Sequence, residues 1–160
     1  MQGLDLRRDV ISPRLEDELA EVIRASMAHD QRPGGHGIDH VAGFLPLDAC
    51  DNPIPTAVSE AMAVVEPFMG IPNSVIASHY AAGAHLPFHT DPPFWASPIC
   101  VLNVGADVEI SWSHAYWHTL TVKFPRRALM VMGGESRTDW HHGINEVTEA
   151  RTAFVFRRRI

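Results

Sequence analysis

The feature that most constrains the fold is a succession of short β-rich segments that begins after Pro72. These segments combine β-branched and apolar residues and cover residues 74–80, 98–105, 107–113, 118–124, 127–133 and 151–157. Turn-forming residues separate them, among them Gly83, Pro92, Pro93, Pro125 and Gly133. Short strands at such close spacing are typical of an all-β barrel or sandwich and do not fit alternating βαβ units.

Two helices are predicted before these strands. Ser12 followed by Pro13 is a typical helix start, and apolar residues then recur at helical spacing. This pattern predicts an amphipathic helix over residues 13–29. A second helix is predicted over residues 55–66, ending at Pro67, because proline lacks the amide hydrogen that a helix interior needs.

The segment between the helices, residues 30–40, is predicted to be a loop, because it contains one proline and three glycines. Its His36 and His40 would belong either to a lid over a pocket or to a surface connection. We predict one domain that covers all 160 residues, with helices and the glycine-rich loop in residues 1–72 and the β core in residues 73–160.

Composition narrows the possible partners and location. The net charge is −6, and residues 33–122 contain no Lys or Arg, which disfavours tight electrostatic binding to a long nucleic acid unless the arginine-rich tail forms one compact patch. No apolar run approaches the roughly 18 residues of a membrane span, and no stable protein partner is evident. Two cysteines, Cys50 and Cys100, suggest no disulfide framework, so we expect a cytoplasmic protein.

The first chemical signal is the tripeptide His89-Thr90-Asp91. In an extended segment, residues two apart point to the same side, so the imidazole and the carboxylate can converge. His142 lies near the start of a late strand and is a third candidate. Two histidines and one carboxylate form the facial triad of non-haem Fe(II) oxygenases, which leaves positions open for a co-substrate and O2.

Two arginines on the last predicted strand supply a second signal. Arg151 and Arg157 are six residues apart and therefore share one face of that strand. Guanidinium groups that point into a barrel need anionic partners, and carboxylate matches their geometry best. A dicarboxylate co-substrate would supply one carboxylate to each arginine.

Three segments together resemble the AlkB family of Fe(II)/2-oxoglutarate dioxygenases. They cover residues 78–91, 124–144 and 151–157, and include the pattern GGESR-x-x-W-x-HGI. They are most similar to the branch that acts on modified tRNA wobble bases, and the resemblance spans roughly residues 73–158. It implies a double-stranded β-helix, which is a cupin-like jelly roll, and the use of Fe(II), 2-oxoglutarate and O2. The implied reaction is hydroxylation or oxidative demethylation of a modified nucleobase in DNA or RNA.

The same resemblance implies the identity of the metal ligands. Carried over by position, they are His89, Asp91 and His142. His141 is the rival for the third place, since the family's ligand directly precedes Gly-Ile, as His142 does here. Adjacent strand residues face opposite ways, so only one of the two histidines can reach the metal.

The resemblance also implies three co-substrate residues. Tyr80 would hydrogen-bond the distal carboxylate of 2-oxoglutarate, and Arg151 would form a salt bridge with that same carboxylate. Arg157 would lie near the C1 carboxylate and the iron.

Three residues depart from the family pattern. Ser78 stands where the family usually has Asn, and Ala153 and Val155 replace polar residues between the two arginines. Each lost hydrogen bond is worth about 1 kcal/mol, so we expect weaker co-substrate binding with the charged clamp retained.

The substrate is open at this level. Phe94 and Trp95 follow the His-x-Asp tripeptide and would either stack on a flipped base or pack the barrel mouth. The lack of cations around the tripeptide favours an alternative, in which the same chemistry acts on a small molecule or a protein side chain. A second alternative, motivated by the three departures, is a catalytically silent binding domain of the same fold.

Overall fold

The computed structural model describes residues 1–29, 38–44, 54–114 and 118–160. In these ranges the helices are α1 (Pro13–His29), α2 (Thr56–Met69) and α3 (Glu135–Thr138). The strands are β1 (Leu4–Arg7), β2 (Ile38–Gly43), β3 (Ser74–Tyr80), β4 (Leu86–His89), β5 (Ile99–Gly105), β6 (Val108–His114), β7 (His118–Phe124), β8 (Leu129–Met132), β9 (His141–Ile144) and β10 (Arg151–Arg157).

The strands form two antiparallel sheets. One has six strands in the order β1-β8-β5-β10-β3-β2, and the other has four in the order β4-β9-β6-β7. Buried side chains of both sheets share one apolar cluster, in which Val101 and Met130 of the larger sheet join Ile110 and Trp112 of the smaller. The predicted mainly β class with N-terminal helices is confirmed.

Helices α1 and α2 pack against the larger sheet because each presents an apolar stripe. Leu19 and Ile23 of α1 and Val58 of α2 are fully buried or nearly so, in one cluster with Leu102 and Phe154 of the central strands. A polar anchor fixes α1 in place: the Glu16 carboxylate accepts hydrogen bonds from the Gly105 amide and from the side chains of Arg126 and Arg127.

Strand register places the candidate site residues opposite one another. Arg151 on β10 lies between Tyr80 on β3 and Gly105 on β5. In the smaller sheet, His89 at the end of β4 pairs with His142 on β9. The cluster of residues predicted from separate segments is therefore built by ordinary antiparallel pairing.

The predicted end of the second helix is wrong. Pro67 lies inside the last turn of α2, which continues to Met69 and ends with the Gly70 amide donating to the Glu66 carbonyl at 2.8 Å. A proline there removes one hydrogen bond close to the helix end, while the extra turn buries Met69 to 3% exposure. Burial of one such side chain stabilises by about 1.5–3 kcal/mol, which offsets the lost bond.

The N-terminal part also contributes strands that the sequence did not predict. Residues 1–72, expected to supply helices and a loop, include β1 and β2, which form the two edges of the larger sheet. The predicted loop 30–40 overlaps β2, and its residues 30–37, with His36, lie outside the described residues, as does Cys50. Among the described helices, none is long and apolar enough to cross a membrane.

Candidate active site

A cavity of about 80 Å³ lies between the two sheets. Its wall is mostly apolar, and its polar side chains are few and come from both sheets. The residues that line it are Tyr80, Leu86, His89, Asp91, Val101, Ile110, Met130, Met132, His142, Ile144, Arg151, Ala153 and Val155. Five of the six predicted site residues therefore share this cavity, and Arg157 is the exception.

His89, Asp91 and His142 lie close together in the wall of the cavity. The Nε2 atom of His142 is 3.6 Å from Oδ2 of Asp91, and the ring centroids of His89 and His142 are 4.4 Å apart. His89 Nδ1 lies 2.9 Å from the Pro87 carbonyl oxygen. Because a carbonyl only accepts, this contact places the His89 proton on Nδ1 and leaves the lone pair on Nε2.

The donor chemistry of this cluster fits Fe(II), although its present spacing does not form a closed metal cage. Within the described ranges, no group of three His, Cys, Asp or Glu side chains is spaced to hold a metal ion as it stands. Asp91 Oδ2 and His142 Nδ1 are nevertheless buried without a hydrogen-bond partner in the described structure. Two imidazoles and one carboxylate are the donor set of the facial triad, so the residues fit the ion.

Electrostatics keep His142 in the neutral form that binds metals. Burial, the largest cause, and the neighbouring His89 and Arg137 charges lower its pKa to about 4, against the opposing effect of the Asp91 carboxylate. His141 differs sharply: its side chain is exposed, whereas that of His142 is 8% exposed and faces the cavity. The alternation expected for adjacent strand residues is therefore observed.

Arg151 also lines the cavity, and it comes from the larger sheet. Its side chain is 1% exposed, and its Nε donates to Oδ1 of Asn103 at 2.7 Å, while Nη1 and Nη2 have no hydrogen-bond partner among the described residues. The guanidinium lies over the Tyr80 ring, 5.1 Å from its centroid. Burial lowers the pKa of Arg151 to about 10, and it raises the pKa of Tyr80. A buried cation with two unused donors is a receptor for an anion.

Arg157 has a different setting from Arg151. Its guanidinium carbon stands 4.2 Å from the centroid of the Trp95 ring, its Nε is buried without a partner in the described structure, and it is partly exposed. Burial lowers its pKa, against the attraction of the Asp91 carboxylate. Trp95 therefore already carries a guanidinium on its ring, whereas Phe94 is 49% exposed. Of the two aromatic residues expected to stack on a base or pack the mouth, Phe94 presents the more accessible ring.

Two buried polar residues at this site were not singled out from the sequence. Asn103 is a lone polar side chain in an apolar strand, and its Nδ2 donates to the carbonyls of Ala106 and Phe124, which fixes the amide with Oδ1 toward Arg151. Arg137, in the GGESR pattern, donates to main-chain carbonyls of the segment that follows His89. A polar residue at a strand position that should be buried is the signal that could have identified Asn103.

Comparison with known proteins finds relatives of limited coverage. No protein-family profile matches the sequence. Over 162 aligned residues the chain is 26% identical to the tRNA (carboxymethyluridine(34)-5-O)-methyltransferase alkbh8 of Xenopus tropicalis. The alignment covers 89% of this chain and 25% of that protein. The mouse (Mus musculus) enzyme of the same name is 35% identical over 74 residues, 46% of this chain and 11% of that protein. The chain thus spans a quarter or less of the length of these relatives.

A solved structure matches over nearly the whole chain. A prolyl-4-hydroxylase of Pseudomonas putida superposes with a TM-score of 0.72 and 17% sequence identity, covering 99% of this chain and 94% of that one. This match confirms the predicted double-stranded β-helix fold.

Proposed function

We propose that this protein is an Fe(II)- and 2-oxoglutarate-dependent dioxygenase. The observation that carries the proposal is the pairing of two unlike groups in one cavity: the cluster of His89, Asp91 and His142, and the buried Arg151 with two unused donors. A buried cation in the same cavity as a metal-ligand set is what a co-substrate needs if it chelates the metal at one end and carries a carboxylate at the other.

The first group would hold the iron. Fe(II) with 2-oxoglutarate and O2 supplies the oxidising power for C–H hydroxylation, which no side chain provides alone. His89 would bind through Nε2, since Nδ1 donates to the Pro87 carbonyl, and this hydrogen bond keeps the ring orientation fixed. His142 would bind in its neutral form, and Asp91 would contribute the anionic ligand.

The second group would bind and orient 2-oxoglutarate. Arg151 would receive the distal carboxylate on Nη1 and Nη2, the two atoms that its bond to Asn103 leaves free. Tyr80 lies under the guanidinium and would add its hydroxyl to the same carboxylate. The apolar remainder of the cavity excludes water, which strengthens each of these charged contacts. Arg157 would act at the metal end, near Asp91.

For the substrate we propose a modified nucleobase, hydroxylated or oxidatively demethylated within a nucleic acid. The names of the relatives specify a tRNA uridine at position 34, and the resemblance favours the same wobble-base branch. Phe94 offers an exposed ring, and the Arg159 guanidinium lies 5.9 Å from the centroid of that ring. An exposed aromatic side chain next to a cation is a common means of holding an unstacked base beside its phosphate.

Succinate release tests the chemistry without knowledge of the substrate. Purified protein with Fe(II), ascorbate and 2-oxoglutarate is expected to release succinate slowly, and His89→Ala is expected to stop it. His85→Ala is the matched control, because His85 is exposed and lies four residues earlier, directly before β4. Absence of succinate, together with no Fe(II) binding in an anaerobic titration, would refute the proposal and favour a silent binding domain.

Salt dependence tests the substrate class. Turnover on a methylated oligonucleotide is expected to fall steeply as salt rises, because phosphate contacts release counterions. Turnover on a small molecule or a peptide would change little with salt. The protein could release succinate and yet hydroxylate only neutral metabolites or peptides. That result would keep the oxygenase assignment and refute the proposal of a nucleobase substrate.

A further inference from the structure

Arg137 is a buried arginine whose side-chain hydrogen bonds go to main-chain carbonyls of one segment. Its side chain is 5% exposed. Nη1 donates to the carbonyl of Asp91 at 3.0 Å, and Nη2 donates to those of Pro92 at 2.7 Å and Trp95 at 3.3 Å. Nε is buried without a hydrogen-bond partner in the described structure, and no ion pair forms there. A buried arginine whose two terminal nitrogens both donate to carbonyls of one segment fixes the path of that segment.

The segment that Arg137 holds, residues 91–95, carries one proposed metal ligand and the aromatic ring that contacts Arg157. Asp91 is a proposed metal ligand, and its Oδ2 has no hydrogen-bond partner in the described structure, so the direction of the carboxylate depends on its main chain. Trp95 carries the Arg157 guanidinium on its ring. A shift of this segment would therefore move one ligand and one arginine together.

Arg137 is itself close in sequence to another proposed ligand. It lies on α3, and β9 with His142 begins four residues later, at His141. Strand pairing already joins His142 to His89 across β9 and β4. The Arg137 side chain adds a second link, between the α3–β9 segment and Asp91, so that all three proposed ligands belong to one connected unit.

We infer that Arg137 is a positioning residue that sets Asp91 for metal binding and Trp95 for its contact with Arg157, through its three carbonyl hydrogen bonds. The inference rests on the proposed function, since it assumes that Asp91 binds the metal. Arg137 does not line the cavity, and its hydrogen bond to Asp91 goes to the main-chain carbonyl and not to the carboxylate.

The charge of Arg137 and its proposed positioning role predict opposite changes in metal affinity when the residue is replaced. A guanidinium near a cation site repels a divalent metal, so removal of the charge alone would tighten metal binding. Loss of the positioning role would weaken binding, since replacement of groups that orient metal ligands typically reduces affinity about 10- to 100-fold. The sign of the change therefore separates the two roles.

The test uses Mn(II) alone, with free ion measured by electron paramagnetic resonance, on the full chain without 2-oxoglutarate. Arg137→Met is expected to weaken Mn(II) binding at least about tenfold, and Arg137→Lys by an intermediate factor, because an ammonium reaches fewer carbonyls than the planar fork. Thr138→Ala is the matched control: its hydroxyl bonds Gly134 and Asp139 on the same short helix, so it is expected to change binding less than about twofold.

A second readout needs no metal. Hydrogen exchange of the amides of Phe94, Trp95 and Ala96 is expected to speed up in both Arg137 variants and not in Thr138→Ala. If the Met variant does not fold, the Lys variant decides by the same two measurements. Equal or tighter Mn(II) binding in the variants, with unchanged exchange, would overturn the inference while leaving the proposed function intact. Absence of Mn(II) binding in the wild type would overturn both.

Discussion

Replacement of Arg151 by Met is expected to stabilise the protein and to remove its response to 2-oxoglutarate. Arg151 is 1% exposed, and two of its three guanidinium nitrogens have no partner in the described structure. A buried charge without a counter-ion opposes folding, and it is retained where a ligand supplies the missing charge. Methionine has similar length and no charge, so it fills the space without this penalty.

The magnitude follows from the pKa. Burial lowers the pKa of Arg151 from 12.5 to about 10, which corresponds to a folding cost of about 3 kcal/mol for the charged form. Because the folded pKa is the lower one, this cost acts in full at neutral pH and declines only above pH 10. The variant also leaves the buried Oδ1 of Asn103 without its hydrogen-bond donor, which costs about 1–2 kcal/mol. A net gain of about 1–2 kcal/mol corresponds to a Tm increase of about 2–8 °C.

Thermal unfolding with and without ligands is the assay. Wild-type protein with Mn(II) is expected to gain about 5–10 °C in Tm when 2-oxoglutarate is added at 100 times its Kd. Arg151→Met is expected to start from a higher Tm, to keep the shift caused by Mn(II), and to lose the shift caused by 2-oxoglutarate.

The matched control makes the same substitution at the other buried arginine. Arg137 has three carbonyl acceptors where Arg151 has one amide, so Arg137→Met should lower Tm by several degrees. A lower Tm in Arg151→Met without ligands would show that Arg151 is a structural residue. A retained 2-oxoglutarate shift in that variant would show that the carboxylate binds elsewhere. Either result refutes the reasoning.

Three further outcomes are expected. His142→Ala should abolish Mn(II) binding, whereas His141→Ala, at the exposed neighbouring position, should change it less than about twofold; the reverse pattern in a binding titration would mean that the other histidine is the ligand. Asn103→Asp should raise the KM for 2-oxoglutarate at least about tenfold, because a carboxylate beside Arg151 neutralises the clamp, and Mn(II) affinity should not change; an unaltered KM would contradict the role of Asn103. Burial alone would raise the pKa of Glu16, but hydrogen bonds from two arginines and a main-chain amide outweigh it and the pKa is lowered. The stabilisation is therefore present above the ordinary pKa of 4.5 and lost as pH falls through the lowered pKa of the folded state. Glu16→Gln should destabilise by about 1–2 kcal/mol at pH 7, and by progressively less as pH falls below 4.5, in urea unfolding.

Helices and strands of seven residues or more with a clear pattern of apolar residues were predictable from the sequence. The predicted strands over residues 74–80, 118–124 and 151–157 and the helix over 13–29 coincide with β3, β7, β10 and α1. In α1 and β7 the apolar residues recur with one period, whereas β3 and β10 each contain an uninterrupted apolar run, and no proline or glycine interrupts the interior of any of the four.

Short elements were not predictable, because tertiary pairing defines them. β4 and β9 have four residues each, and they contain Pro87 and Gly143, which local propensity assigns to turns. Gly143 is required there, since a Cβ atom would lie 2.8 Å from the Leu86 carbonyl oxygen on the paired strand. The sequence could indicate that His89 and His142 are ligands of one metal ion, but their direct pairing across two strands follows only from the fold.

The residues that depart from the AlkB pattern can now be given a physical consequence. Ala153 on β10 lies between Ser78 on β3 and Asn103 on β5, so the strand beside the lost polar positions supplies a buried amide. Since Asn103 already orients Arg151 through Nε, the substitutions at Ser78 and Ala153 do not leave the guanidinium undirected. The substitutions then remove hydrogen bonds to the co-substrate itself. Each such bond is worth about 1 kcal/mol, or about fivefold in affinity. A chain that loses those bonds but keeps a desolvated, oriented cation should bind 2-oxoglutarate more weakly and still require its distal carboxylate. An analogue with a neutral amide at that end should therefore fail to bind even where 2-oxoglutarate binds at millimolar concentration.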